Sequence, residues 1–261
     1  MNILLLLIVS VLPVIIVARY IYNKDKNKEP LKLLIKLFLG GILSVFLTLF
    51  LTAFLERIFP FFKIDTDKLD LIELLVNVFV GIALIEEFSK WIITYIISYK
   101  NKEFDEFYDM IVYSVFVSLG FALFENIIYV FTQGLGIGIF RAIISVPCHA
   151  FIGIFMGYYL GLAKIASLNN NKSLEIKNKL FSIFIPILLH GIYDYCLLSG
   201  KIVLFIVFII FMISLYVFAI TKVNKISNII GKMKYKNDFC PVCGSRVVAD
   251  ICENCGNKNN W

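Results

Sequence analysis

The chain has 261 residues, of which 60% are apolar and 17% charged, and its net charge is +6. With a mean hydropathy of +0.86, this balance excludes a soluble globular domain and marks an integral membrane protein. The lysines and arginines gather in the connections between apolar runs, so the positive charge is a topology signal, and no nucleic-acid partner is expected.

Apolar stretches of about 20 residues, enough to cross roughly 30 Å of hydrocarbon, lie at 3–22, 33–56, 71–98, 107–131, 139–163, 180–199 and 201–221. They predict an all-α polytopic membrane protein with about seven transmembrane helices. The first, MNILLLLIVSVLPVIIVARYIY, has no basic residue ahead of its apolar run and no small-residue cleavage site. It is therefore expected to be a retained span, kinked at Pro13.

Arg19, Lys24, Lys26, Lys28, Lys32 and Lys36 crowd the first connection, and Lys100 and Lys102 the third. Lys164, Lys172, Lys177 and Lys179 mark the fifth, and Lys222, Lys225, Lys232, Lys234 and Lys236 follow the last span. The intervening connections hold only Arg57, Lys63 and Lys68, then Arg141, then Lys201. This alternation predicts an outside N-terminus and a cytoplasmic C-terminus. Only Ser199-Gly200 separates the last two stretches, so a re-entrant pair there is the alternative.

The third stretch contains GIALIEEFSKW, residues 81 to 91. Glu86, Glu87 and Lys90 are costly inside a bilayer. An intrahelical ion pair is the plain reading. One lysine cannot neutralise two buried carboxylates, however, and a surplus buried carboxylate is what a general base requires. In the fourth stretch, GFALFENIIYV places Glu125 beside Asn126, which read plainly is an interhelical hydrogen bond. In the fifth, His149 heads Gly153, Gly157 and Gly161, a close-packing stripe that brings a neighbouring backbone near the imidazole. In the sixth, His190 and Asp194 are four apart on one helix face, and a structural pair is again the plain reading.

Both histidines of the chain thus fall within spans. Two imidazoles, several carboxylates and an asparagine on four helices supply what a hydrolytic site needs: groups that hold a metal or polarise a carbonyl, and a carboxylate that activates water. The motifs H-E-x-x-H and G-x-S-x-G are absent from the sequence, and Cys148 is read as a small packing residue.

The fifth connection, SLNNNKSLEIKNK, reads as a solvated polar loop. NKISNIIGKMKYKND, after the last span, reads as a basic linker held by anionic headgroups. Beyond it, Cys240 and Cys243 precede Cys252 and Cys255 in two C-x2-C knuckles, each followed by glycine (Gly244, Gly256). Four thiolates at this spacing close a structural zinc site, and a cytoplasmic tail keeps them reduced. A ribbon of this size is expected to dock a cytoplasmic partner.

The order Glu86-Glu87-x-x-Lys90, Phe121-x-x-x-Glu125-Asn126, His149 with Gly153, and His190-x-x-x-Asp194 resembles the PrsW family of intramembrane proteases. These are distant relatives of the CAAX prenyl endopeptidases and the bacterial Abi/CPBP proteins. The resemblance covers roughly residues 70 to 200. It implies a CAAX-protease-like domain over 1–223, followed by the linker at 224–239 and the zinc ribbon at 240–261. Glu86 and Glu87 then supply the water-activating carboxylate. Glu125, His149 and His190, with Asp194, form the metal or oxyanion site, supported by Lys90 and Asn126. Asp194 stands where the CAAX enzymes carry Asn, and Glu125 where they carry His, so a divalent metal such as zinc and a metal-free glutamate mechanism both stay open.

The resemblance further implies a multi-pass protein of the bacterial cell membrane. Its substrate would be a membrane-anchored protein such as an anti-sigma factor, cut at an extracytoplasmic site in the first step of stress signalling by regulated intramembrane proteolysis. Glu86 falls deeper than Glu125 and His149 unless the third span starts after Leu71, with DKLDLIELL as an outer surface helix, and that arrangement is the expected one. Two rivals remain. One is a proton-coupled transporter, although no internal repeat is evident. The other is a non-catalytic scaffold that recruits a partner through the ribbon.

Overall fold

A computed structural model describes residues 3–233, with side chains through residue 228. Its helices are α1 (Ile3–Lys24), α2 (Leu31–Ile58), α3 (Leu71–Val76), a π-helical turn (Asn77–Ala83), α4 (Leu84–Ser98), α5 (Phe107–Gln133), α6 (Leu135–Ile143), α7 (Ser145–Leu168), α8 (Lys172–Leu198) and α9 (Ile202–Met233). No strand occurs among the described residues. Six helices are long and apolar enough to cross a membrane: Ile3–Lys24, Leu31–Ile58, Phe107–Gln133, Leu135–Leu168, Lys172–Leu198 and Ile202–Asn228. The protein is an all-α, multi-pass membrane protein.

The remaining predicted stretch forms a continuous helical run from Leu71 to Ser98 rather than a surface helix followed by a later span. Asp70 starts it as a capping box: its Oδ1 accepts from the Ile72 and Glu73 amides at 2.8 Å each, and Glu73 Oε2 accepts from the Asp70 amide at 3.1 Å. A surface helix would need the chain to break after Leu75. Here the π-turn carries it on, with the Leu84 amide donating to the Phe79 carbonyl five residues back.

Other boundaries also move. The predicted fifth loop shrinks to residues 169–171, because Asn171 caps α8 by accepting from the Leu174 amide at 3.1 Å. Glu175 and Lys179, 2.7 Å apart, then support the first turns of that polar helix. The predicted linker is helical as far as Met233. Gly200, at φ +64°, makes the tight turn that keeps α8 and α9 as two separate helices. The four-cysteine ribbon lies outside the described residues.

Helix α5 is the central post, buried along most of its length and packed against α7, α2 and α1. Glycines permit the close approaches: a Cβ at Gly41 of α2 would lie 2.0 Å from the Val117 carbonyl oxygen of α5, and the glycine stripe of α7 does the same on the other side. A Cβ at Gly157 would lie 2.4 Å from the Met110 carbonyl oxygen, so α5 and α7 meet backbone to backbone. On α1, α2 and α9, exposed Leu, Ile, Val and Phe side chains form the lipid-facing exterior.

Helices α4 and α8 are fastened along a ladder of rings. Phe88, Trp91, Tyr95 and Tyr99 stack in succession. Trp91 Nε1 donates to Ser182 Oγ at 2.8 Å, Lys179 Nζ to the Tyr95 hydroxyl at 3.1 Å, and the Tyr99 hydroxyl to Glu175 Oε1 at 3.0 Å. At the other end of α4, the Phe79 ring of the π-turn lies where a Cβ on Gly191 would be 2.5 Å away. This contact places His190 against the start of α4.

Candidate active site

The first turn of α4, the second half of α5, the start of α7 and the second half of α8 meet at one end of the bundle. They bring Glu86, Glu87, Lys90, Glu125, His149, His190 and Asp194 together. Lys90, 1% exposed, is the hub. Its Nζ donates to Glu87 Oε1 at 2.6 Å, lies 3.7 Å from Glu86 Oε2 and 3.3 Å from His149 Nδ1, and sits 4.3 Å above the Phe121 ring. The third-span lysine is therefore shared between the acidic pair and the first histidine.

The two carboxylates differ. Glu87 is fully buried, held by Lys90 and by His190 Nδ1, 2.8 Å from its Oε1. Glu86 lines the cavity, which Glu87 does not, and no protein group donates a hydrogen bond to its Oε2; the Oε2 of Glu87 is likewise buried without a partner. The π-turn explains the division: it widens the helix just upstream and so resets which of two adjacent residues faces inward.

On the other wall, Glu125 Oε2 is 2.9 Å from His149 Nε2 and 3.0 Å from Arg141 Nη2. His190 Nε2 is 3.2 Å from Asp194 Oδ2 and 4.0 Å from Glu86 Oε2. The imidazole rings of His149 and His190 meet edge to face at 5.5 Å. The partly open cavity between these walls has a volume of about 280 Å³. Tyr129, Gln133, Ser145 and Tyr193 complete its polar lining, with the Ser145 and Tyr193 hydroxyls 2.7 Å apart.

Asn126 is not part of this cavity. Its Nδ2 donates to the Ser10 carbonyl at 3.1 Å and so ties α5 to α1. Adjacent helical residues point about 100° apart, which separates Asn126 from Glu125. Cys148 is buried beside the site but absent from its lining.

Arg141 was missed because it reads as a loop charge. It stands 8% exposed on α6, with its guanidinium carbon 4.1 Å from the Tyr129 ring centre. Its signal in the sequence was a lone arginine inside RAIISVPCHAF, eight residues before His149.

Glu86, Glu125 and His149 each offer a ligand atom, all within 4.8 Å of one another. Four carboxylates here (Glu86, Glu87, Glu125, Asp194) face two permanent cations, Lys90 and Arg141. The carboxylates outnumber the permanent cations, which favours a cation here, and the nitrogen and oxygen donor set suits zinc or a similar metal. With the unsatisfied Glu86 oxygen, the residues present fit a metal.

A family model described as PrsW family intramembrane metalloprotease matches residues 29–220. Protease PrsW of Oceanobacillus iheyensis is 35% identical over 188 residues, covering 72% of this chain and 80% of that protein. Protease PrsW of Geobacillus kaustophilus is 44% identical over 123 residues, 47% of this chain and 52% of the relative. That of Bacillus subtilis is 43% identical over 119 residues, 46% of this chain and 53% of the relative. The chain thus spans about half the length of the latter two. No solved structure matches. The family match reaches across the helices that carry every polar group of the cavity, and the chain belongs to the PrsW family of intramembrane metalloproteases.

Proposed function

We propose that this protein hydrolyses a peptide bond of a membrane-anchored protein at the cavity between α4, α5, α7 and α8. The observation that carries this reading is the Glu86 carboxylate at the cavity wall, with a buried oxygen that has no hydrogen-bond partner and a ligand atom within 4.8 Å of those of Glu125 and His149. A carboxylate so placed accepts the proton of a water molecule entering the cavity and returns it to the leaving amine. Glu87 is the positioning carboxylate: it orients Lys90 and His190 and does not line the cavity. Asp194 holds the second nitrogen of His190. Arg141 balances Glu125 and keeps its oxygens turned toward His149.

A divalent metal, zinc by its donor set, would be held by Glu125 and His149, with Glu86 beside them to take the proton of a water molecule. When bound it would supply polarisation of the substrate carbonyl and acidification of water. The substrate class implied by the resemblance is a membrane-anchored anti-sigma factor in a stress response. The charge alternation supports an outside N-terminus in the bacterial cell membrane, which puts this end of the bundle on the extracytoplasmic side.

The test reconstitutes the purified full chain in liposomes with a single-span protein substrate and reads fragments by mass spectrometry. Cleavage at the membrane boundary is expected. Proton-coupled solute flux without any cleavage would establish the transporter reading instead.

A further inference from the structure

We propose that the chain carries a second divalent-cation site, built from carboxylates alone, where the α1–α2 connection meets the first turn of α5. It lies at the end of the bundle opposite the cavity: Asp109 and Glu125 share α5, sixteen residues and about 24 Å apart.

Asp25, Glu106 and Asp109 offer oxygens within 4.8 Å of one another, as do Glu29, Asp105 and Asp109. Asp109 belongs to both sets and is fully buried. Its Oδ2 accepts from the Glu106 and Asp105 amides at 2.7 and 2.9 Å, while its Oδ1 is buried with no hydrogen-bond partner. Asp25, 1% exposed, repeats the pattern. Its Oδ2 accepts from the Glu29 amide at 3.3 Å, and its Oδ1 is buried without a partner. Two carboxylates with an oxygen each within 4.8 Å of the other thus both keep a shielded oxygen without a hydrogen-bond partner.

Positive charge is scarce there. Among the described residues, no lysine or arginine nitrogen lies within 4.0 Å of a carboxylate oxygen of Asp25, Glu29, Asp105 or Asp109. Lys28 acts on Asp25 only at longer range, because its ammonium donates to the Tyr22 and Asp25 carbonyls. Neutral donors take two of the other acids: the Tyr113 hydroxyl donates to Glu29 Oε2 at 2.7 Å and Asn27 Nδ2 to Asp105 Oδ2 at 2.8 Å.

An all-oxygen set of this kind selects a hard cation, Mg²⁺, Mn²⁺ or Ca²⁺, over zinc. The bound ion would clamp the α1–α2 connection onto α5. The site is independent of the hydrolytic reading, since it shares no residue with the cavity.

Mn²⁺ is the probe. The full chain in detergent, its tail loaded with zinc and then freed of other metals, is titrated while free Mn²⁺ is followed by electron paramagnetic resonance and unfolding by Tm. A Glu86→Gln/His149→Ala protein, with the cavity disabled, is expected to bind one Mn²⁺ and to gain Tm. Asp25→Asn on that background should weaken binding at least tenfold and remove the Tm gain. Asp109 also caps α5, so Asp105→Asn, at an exposed position, serves as the second variant, with a smaller loss of affinity expected. Absence of Mn²⁺ binding in the cavity-disabled protein would overturn the proposal and leave a proton-sharing acid cluster. Binding unchanged by both Asp25→Asn and Asp105→Asn would overturn it equally.

Discussion

His190 Nδ1 lies 2.8 Å from Glu87 Oε1, and this contact between α8 and α4 separates the roles of the two adjacent glutamates. Glu87 is spent on Lys90 and His190, whereas Glu86 faces the cavity. Glu86→Gln should therefore insert and melt like the parent while losing about 100-fold or more of its cleavage rate, the scale of a lost general base. Glu87→Gln leaves the buried Lys90 charge without its 2.6 Å partner, a loss of about 3–5 kcal/mol. It should appear first as a lower Tm and poorer accumulation. Parallel cleavage and thermal-melt measurements on the two variants check this division.

Arg141 and Glu125, 3.0 Å apart, make the second prediction. Arg141→Ala removes the cation that lies 3.0 Å from the Glu125 carboxylate, leaving Glu125 free to turn from His149. Cleavage should fall roughly 10- to 100-fold in kcat, with partial rescue by Arg141→Lys, because lysine restores charge without the planar fork. An unchanged kcat in Arg141→Ala would remove the residue from the site.

Asn126 adjoins Glu125 in sequence, but its amide serves the Ser10 carbonyl of α1. Asn126→Ala should cost about 0.5–1.5 kcal/mol of stability and leave kcat within about twofold. A collapse of kcat at preserved Tm would place Asn126 in the reaction after all.

The metal is tested by equilibrium dialysis against zinc with Cys240, Cys243, Cys252 and Cys255 all replaced by Ser, so that any zinc retained is not held by these thiols. One zinc per chain is expected, lost in His149→Ala and in Glu125→Gln. Cleavage by a chain that binds no zinc and resists chelators would instead support the metal-free glutamate mechanism.

Most of this arrangement was legible because a bilayer penalises polar groups: Glu86, Glu125, His149, His190 and Asp194 stood out against apolar runs, and each lies at the cavity. What escaped notice has physical reasons. The π-turn at Asn77–Ala83 has no compositional mark, since Val, Phe, Gly and Ile there suit an ordinary helix equally well. Arg141 looked like a boundary charge because α6 and α7 break at Ile144, which folds the arginine inward. The first turns of α8 hid in a polar segment where hydropathy carries no signal and the Asn171 cap decides. Asp25 and Glu29 sat in a connection and Asp109 at the very start of the fourth apolar stretch, where acids are ordinary, and only the tertiary fold buries them together.

The central claim is that Glu86 and His149, on helices far apart in sequence, serve one reaction. Residual single-turnover cleavage by Glu86→Gln, His149→Ala and the double variant, in the same liposomes, tests it most directly. Groups that act as a unit are strongly non-additive, so the double variant should be no slower than the slower single one. Losses that multiply would place the two residues in separate roles and contradict a shared site.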